Sequence, residues 1–108
     1  MIIKNQWLDY STVSPKNIYF FTANSVIGKN GLVMGRGNAL AAKKAHPTLP
    51  MLFVDLPEKF GVQYRDVGSG KIIGAFQTKY NWRDDSPIEL VKYSTEKLKK
   101  HSDARPLF

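Results

Sequence analysis

The sequence contains no cysteine, which excludes disulfide bonds, thiol catalysis and the usual cysteine-based zinc sites. No apolar run is long enough to cross a membrane. The first ten residues lack the basic region followed by an apolar region that marks a secretory signal. We therefore expect a cytoplasmic protein that folds as one domain over residues 1–108, with no membrane partner, metal or cofactor.

Acidic residues are scarce in the first half of the chain. Residues 1–54 carry six basic side chains and one acidic side chain, Asp9, whereas residues 55–108 carry ten basic and eight acidic side chains. The whole chain has a formal charge of +7. This imbalance indicates an anionic partner, but it does not separate a nucleotide from a nucleic acid because both present phosphates. A solvated basic face with no single ligand is the alternative.

Apolar periodicity and turn residues predict alternating strands and helices, as in an α/β layered domain. The apolar run 18–23 predicts a buried, parallel strand. Residues 86–89, Ser-Pro-Ile-Glu, form a capping-box pattern, which predicts a helix to about His101. Its packed face is expected to carry Ile88, Val91, Thr95 and Leu98. The other predicted elements are a strand at 2–4, a turn at 14–17, a helix at 38–46 capped by Asn38, a strand at 51–56 and a hairpin of 62–66 with 71–78.

Four glycines lie between the predicted strand 18–23 and the predicted helix 38–46. Ligands of α/β sheets bind at the carboxyl ends of strands, and glycine lets main-chain N–H groups approach a phosphate closely at a helix N-terminus. The segment matches neither the P-loop nor the dinucleotide fingerprint. It predicts a phosphate-binding loop, with a merely tight connection as the alternative. The glycines are Gly28, Gly31, Gly35 and Gly37.

Two blocks of the sequence resemble the macrodomain superfamily, and most closely its DNA ADP-ribosyl glycohydrolase, antitoxin-like branch. The first block spans 21–47 and includes Met-Gly-Arg-Gly-Asn-Ala at 34–39; the second spans 71–86 and includes a Thr-Lys pair followed by Trp-Arg. The resemblance covers roughly residues 17–101. It implies a three-layer α/β fold with a mixed sheet flanked by helices, in which the C-terminal strand, loop and helix are missing or much reduced.

The resemblance also implies a function, the binding of ADP-ribose or of ADP-ribosylated DNA or protein. In that branch the lysine of the Thr-Lys pair attacks or polarises the ribose carbon, and the matching residue is Lys79. The branch's catalytic acid would follow one more strand, and the chain ends at Phe108 before it, so we expect slow or absent hydrolysis. The ligand-binding residues that the resemblance implies are Asn24, Gly31, Met34, Gly35, Arg36, Gly37, Asn38, Thr78, Trp82 and Arg83.

Three questions stay open at this point. The family's adenine-binding aspartate has no counterpart at 4–7, and Gln6 or Asp9 are the available substitutes. Trp82 fits a core residue as well as a ligand contact. Two other functions are a basic nucleic-acid-binding module that uses aromatic residues such as Tyr19 and Tyr80, and a non-catalytic subunit whose sheet a partner chain completes in an oligomer.

Overall fold

A computed structural model describes residues 9–100, so the predicted strand at 2–4, Gln6 and the residues from His101 onward lie outside the described range. The chain begins this range with a 3-10 turn and continues through five strands and three helices. In chain order these are the 3-10 turn Tyr10–Thr12, β1 (Ile18–Ala23), β2 (Ile27–Gly28), β3 (Gly31–Leu32), α1 (Gly37–Ala45), α2 (Leu49–Leu52), β4 (Val62–Gly68), β5 (Lys71–Gln77) and α3 (Ile88–Lys99).

The main sheet has the strand order β1–β5–β4. Strand β5 runs parallel to β1 and antiparallel to β4, and Ala23 pairs with Gln77 at the carboxyl ends of the parallel pair. The predicted parallel strand at 18–23 and the predicted hairpin are therefore confirmed. The turn at 14–17 is confirmed as well, since the Asn17 N–H donates to the Ser14 carbonyl oxygen at 3.2 Å.

The sheet is covered on both faces because successive strand residues point to opposite sides. Phe21 and Ile73 belong to the core cluster that includes Ala42 of α1 and Leu49 of α2. Ile18 and Phe20 belong to a second cluster, against which Leu98 of α3 packs. Helices therefore flank a mixed sheet in three layers, which confirms the expected macrodomain-like architecture. Each large apolar side chain buried in these clusters contributes about 1.5–3 kcal/mol.

Helix α1 begins at Gly37, one residue earlier than predicted. Arg36 is the N-cap residue, with φ −145° and ψ 159°, and Asn38 lies in the first turn, so the prediction that Asn38 caps the helix is wrong. The positive φ of Gly37, +59°, explains this start, because glycine adopts that conformation readily and lets the chain turn there. Lys43 and Lys44 occupy the last turn, where the helix dipole favours cations, as predicted.

The predicted strand at 51–56 is wrong. Leu49–Leu52 forms the short helix α2, with proline at its first turn, where the fixed φ of Pro50 suits a helix. Phe53 and Leu56 are buried, whereas Val54 is 46% exposed. The buried residues are three positions apart, whereas a strand with one buried face would bury every second residue. The glycine segment differs from prediction too, because it contains the small antiparallel hairpin of β2 and β3.

Helix α3 confirms the predicted helix and part of its packed face, since Leu98 packs against the second cluster and Val91 and Thr95 are half-buried, but it does not confirm the predicted cap. The N-cap residue is Pro87, and no side chain caps the helix, so the predicted capping box is wrong. Leu90 and Ser94 are the fully buried positions, whereas Ile88 is 68% exposed. Ser94 faces the core, where its Oγ donates to the Gln77 carbonyl oxygen at 2.6 Å. A prediction based on apolar periodicity cannot detect such a polar contact. Within residues 9–100, no helix combines the length and apolar character that a membrane span needs.

Candidate functional site

The carboxyl ends of the parallel strands β1 and β5 open onto a cavity of about 360 Å³. This volume lies in the range typical of small-molecule sites, and the location is the one that α/β sheets use for ligands. Residues that follow both strands line it. The lining residues are Thr22, Ala23, Asn24, Val33, Gly35, Arg36, Ala39, Thr78, Lys79 and Trp82.

One wall of the cavity is the glycine segment and the start of α1. Gly35 is exposed, and a Cβ placed on it would meet no protein atom within 4 Å, so protein packing does not require glycine there. Arg36 ends the segment, and its side chain makes no capping hydrogen bond to α1. Because the first N–H groups of a helix lack intrahelical acceptors, this wall presents main-chain donors toward an anion.

The other wall follows β5 and is tied to the end of β1. The N–H groups of Thr78 and Lys79 both donate to the Ala23 carbonyl oxygen, at 2.9 and 3.3 Å. The Ser25 N–H and Oγ each donate to the Tyr80 carbonyl oxygen at 3.2 Å. The two loops that leave the parallel strands are therefore fastened to each other, which fixes Lys79 relative to the glycine wall.

The cavity is lined by cations without a neutralising acid. Arg36 and Lys79 are the charged lining residues, and none of the ten lining residues in the described part of the chain is a carboxylate. Lys79 is half-buried. No hydrogen bond or ion pair between residues 9–100 engages its ammonium group. A half-buried, uncompensated positive charge favours an anionic ligand and leaves the amine available to it.

Trp82 and Arg83 lie at the edge of the cavity. Trp82 is 42% exposed, so its alternative assignment to the core is wrong. The Arg83 guanidinium lies 4.7 Å from the centre of the Trp82 ring, a cation–π distance, and Arg83 does not itself line the cavity. The guanidinium thus steadies the indole ring and adds positive charge beside the opening.

Asn24 lines the cavity but also holds the glycine segment in shape. Its Nδ2 donates to the Val33 carbonyl oxygen at 3.1 Å, and its Oδ1 accepts from the Val26 N–H at 2.7 Å. The side chain is 8% exposed. Asn24 therefore closes the base of the loop that carries β2 and β3, a use of its amide that the sequence did not reveal.

Besides Arg83, four of the predicted ligand residues do not line this cavity. Gly31 and Met34 line a smaller neighbouring cavity instead, and the Met34 side chain is 2% exposed in the core. Gly31 has φ +103°, and a Cβ there would overlap the Pro50 carbonyl, so packing alone requires glycine. Gly37 and Asn38 lie in the first turn of α1, next to the lining residues Arg36 and Ala39.

Asp9, one of the two substitutes considered for the adenine contact, does not line the cavity either. Its carboxylate accepts hydrogen bonds from the Ser11 hydroxyl and the Ser11 N–H, which hold the pKa of Asp9 below its usual value. It caps the 3-10 turn.

Gln77 is a supporting residue that the sequence analysis missed. It is 0% exposed, and its Oε1 accepts from the N–H groups of Phe60 and Gly61 at 2.8 and 2.9 Å. Its Nε2 donates to the carbonyl oxygens of Glu58 and Lys79 at 2.7 and 3.2 Å. A polar residue in phase with the buried Ile73 and Ala75 along β5 is the signal that could have identified it.

A comparison with solved structures agrees with this architecture. The structure is similar to the macrodomain of Thermus aquaticus DarG, with a TM-score of 0.63 and 28% sequence identity over 79% of this chain. The chain has a macrodomain fold. This finding confirms the resemblance that the two sequence blocks predict. The match with this chain covers 58% of the length of that neighbour. No family model matches the sequence, and the search of curated proteins found no match either.

Proposed function

We propose that this macrodomain binds ADP-ribose, or an ADP-ribosyl group on a larger molecule, in the cavity at the ends of β1 and β5. The observation that carries the proposal is the pairing of an exposed glycine wall with Lys79 across a cavity that no carboxylate lines among residues 9–100. The similarity to a macrodomain supports ADP-ribose as the ligand class.

The two walls suit the parts of ADP-ribose differently. The main chain at Gly35 and the start of α1 would hold the pyrophosphate, because N–H donors at a helix N-terminus favour phosphate oxygens. The wall of Thr78, Lys79 and Trp82 would meet the distal ribose and its substituent. Fixed donors and a fixed amine on opposite walls give the ligand one orientation.

Calorimetry tests the ligand class. We expect ADP-ribose to bind at micromolar concentration, roughly −8 kcal/mol. AMP lacks the second phosphate and the distal ribose, so it should bind more weakly. Equal affinities for the two ligands, or no binding of either at millimolar concentration, would contradict the proposal. Tighter binding of an oligonucleotide than of ADP-ribose, with a steep dependence on salt, would instead favour the nucleic-acid-binding module.

A second candidate function is the removal of ADP-ribose by Lys79, which the placement of its unpaired amine in the cavity favours. In this reaction the Lys79 nitrogen bonds to the ribose C1″ as the bond from C1″ to the acceptor breaks, and the lysine proton passes to the acceptor. The adduct opens to an imine, which water hydrolyses to ADP-ribose and the free amine. Because no carboxylate lines the cavity within the described residues, we expect turnover to be slow.

Lys79→Ala tests this chemistry. The variant should lose turnover of ADP-ribosylated DNA or protein while it keeps most of its affinity for ADP-ribose. Wild type should form a borohydride-trapped adduct with ADP-ribose at Lys79, since borohydride reduces the imine. Lys71→Ala, at the opposite end of β5, is the matched control and should behave as wild type. Turnover that survives Lys79→Ala would rule out the lysine mechanism without affecting the binding proposal.

A further inference from the structure

A second cavity, of about 240 Å³, adjoins the first. Val33 and Gly35 line both, so the segment 33–35 is their common wall. The rest of the second cavity is built from the hairpin of β2 and β3, from Lys43 of α1 and from Pro50 of α2. Elements from three parts of the chain therefore enclose a space that the proposed ADP-ribose site does not use.

The charged residues that line this second cavity are all basic. Lys29, in the turn between β2 and β3, and Lys43, on α1, both line it. No carboxylate is among its ten lining residues, and no ion pair within residues 9–100 involves either lysine. An anion bound in this cavity would therefore meet two positive charges and no negative one among the lining residues.

The hairpin that carries Lys29 is held in place against the body of the domain. The positive φ of Gly31 and its lack of a side chain let β3 contact the Pro50 carbonyl directly. Asn24 fixes the base of the hairpin through Val26 and Val33. The backbone of the hairpin that carries Lys29 is therefore held at its base and against Pro50, which reduces the backbone entropy lost when a ligand binds.

We propose that the second cavity is a separate binding site for a phosphate group. Lysine ammonium groups bind phosphate as compact point charges, and the cavity has room for such a group. The phosphate is either free or part of a larger ligand. The site rests on Lys29 and Lys43 and stands whether or not ADP-ribose occupies the first cavity.

The test uses inorganic phosphate as the probe at constant ionic strength. Amide NMR shifts of residues 28–31 should titrate saturably in wild type. The double variant Lys29→Gln, Lys43→Gln should weaken this binding at least tenfold. The control Lys16→Gln, Lys44→Gln changes the charge equally, lies outside the lining of both cavities and should weaken it less than twofold. Equal weakening in the two double variants, or no saturable shift in wild type, would overturn the proposal.

Two further titrations separate the sources of the phosphate. With the first cavity saturated by ADP-ribose, phosphate should still shift residues 28–31 with an affinity within threefold of that of the free protein. Loss of this response would mean that ADP-ribose itself fills the second cavity, which would overturn a separate site. A short oligonucleotide that displaces inorganic phosphate from wild type would identify a phosphodiester as the source, and failure to displace it would identify a free phosphate. If ADP-ribose does not bind at all, the phosphate titration of the two double variants still decides the proposal.

Discussion

The two loops that leave the parallel strands build opposite walls of one cavity by different means. After β1 the chain presents main chain, because Gly35 is exposed and has no protein atom near its Cβ position. After β5 it presents the side chains of Lys79 and Trp82. The first loop is held at its base by Asn24, and the second is held from beneath by Gln77.

This difference gives the two walls different roles in the proposed function. A wall of main-chain donors recognises phosphate whatever the neighbouring side chains are, whereas a wall of side chains depends on one amine and one ring in fixed positions. Substitutions in the glycine wall should therefore change binding, and substitutions beneath the lysine wall should change stability.

The largest expected effect is that of Gln77→Ala. It removes a side chain that satisfies four main-chain groups, at Glu58, Phe60, Gly61 and Lys79, and leaves buried polar groups without partners. We expect a loss of about 4 kcal/mol in the free energy of unfolding, measured in urea. Gln63→Ala on β4 is the control and should cost less than about 1 kcal/mol. Equal losses in the two variants would show that Gln77 does not support the lysine wall.

Gly35→Val should produce the next largest effect, in binding rather than in stability. A valine side chain would project into the cavity from the glycine wall, where no protein atom opposes it. We expect ADP-ribose affinity to fall about 100-fold, or about 2.7 kcal/mol, with thermal stability unchanged. Gly35→Ala should give a smaller loss of affinity. Wild-type affinity in Gly35→Val would place the ligand away from this wall.

The smallest expected effect lies beneath β1. The Tyr10 hydroxyl donates to the Phe20 carbonyl oxygen at 2.6 Å, and burial raises the pKa of Tyr10 well above its usual value. The fold therefore favours the neutral phenol, and this contribution is present below about pH 10 and lost as the pH rises further. Tyr10→Phe should cost about 1 kcal/mol at neutral pH.

Tyr10→Phe should also reduce the loss in free energy of unfolding above about pH 10, measured by urea unfolding at a series of alkaline pH values. Tyr93→Phe, at a half-buried tyrosine on α3, is the control and should retain the alkaline loss. An unchanged alkaline profile in Tyr10→Phe would assign the loss to another group.

The strands and the main ligand cavity were the most predictable features. The run 18–23 is apolar because both faces of β1 are covered, and periodicity reports burial of this kind directly. Six residues that the sequence implied for the ligand line a single cavity. They come from the two sequence blocks, and parallel pairing of β1 with β5 brings those blocks together. The six residues are Asn24, Gly35, Arg36, Thr78, Lys79 and Trp82.

The features that escaped prediction depend on contacts between distant residues. The short helix α2 replaced a predicted strand, because Phe53 and Leu56 reach the core at a spacing of three. Gln77 and Ser94 are buried only because they bond to main-chain groups of other elements. Gly31 was predicted to contact a ligand, and packing against Pro50 already requires its lack of a side chain. Local sequence patterns can indicate that such a residue is buried, as the phase of Gln77 with Ile73 and Ala75 does, but they do not identify its partners.

The hydrogen bonds of Asn24 at the base of the hairpin determine where the chain can change in length during evolution. Asn24 bonds to both Val26 and Val33, and the Val33 N–H also donates to the Val26 carbonyl oxygen at 3.0 Å. The two ends of the hairpin segment are therefore held together by hydrogen bonds. Insertions in the exposed turn at 29–30, which keep Gly31 and the buried Leu32 in place, therefore leave the wall at Gly35 where it is. A one-residue insertion or deletion within β5 would instead shift the register of the residues that follow it, Thr78 and Lys79 among them. The turn between β2 and β3 can therefore lengthen over evolutionary time while the cavity at the ends of β1 and β5 is inherited unchanged.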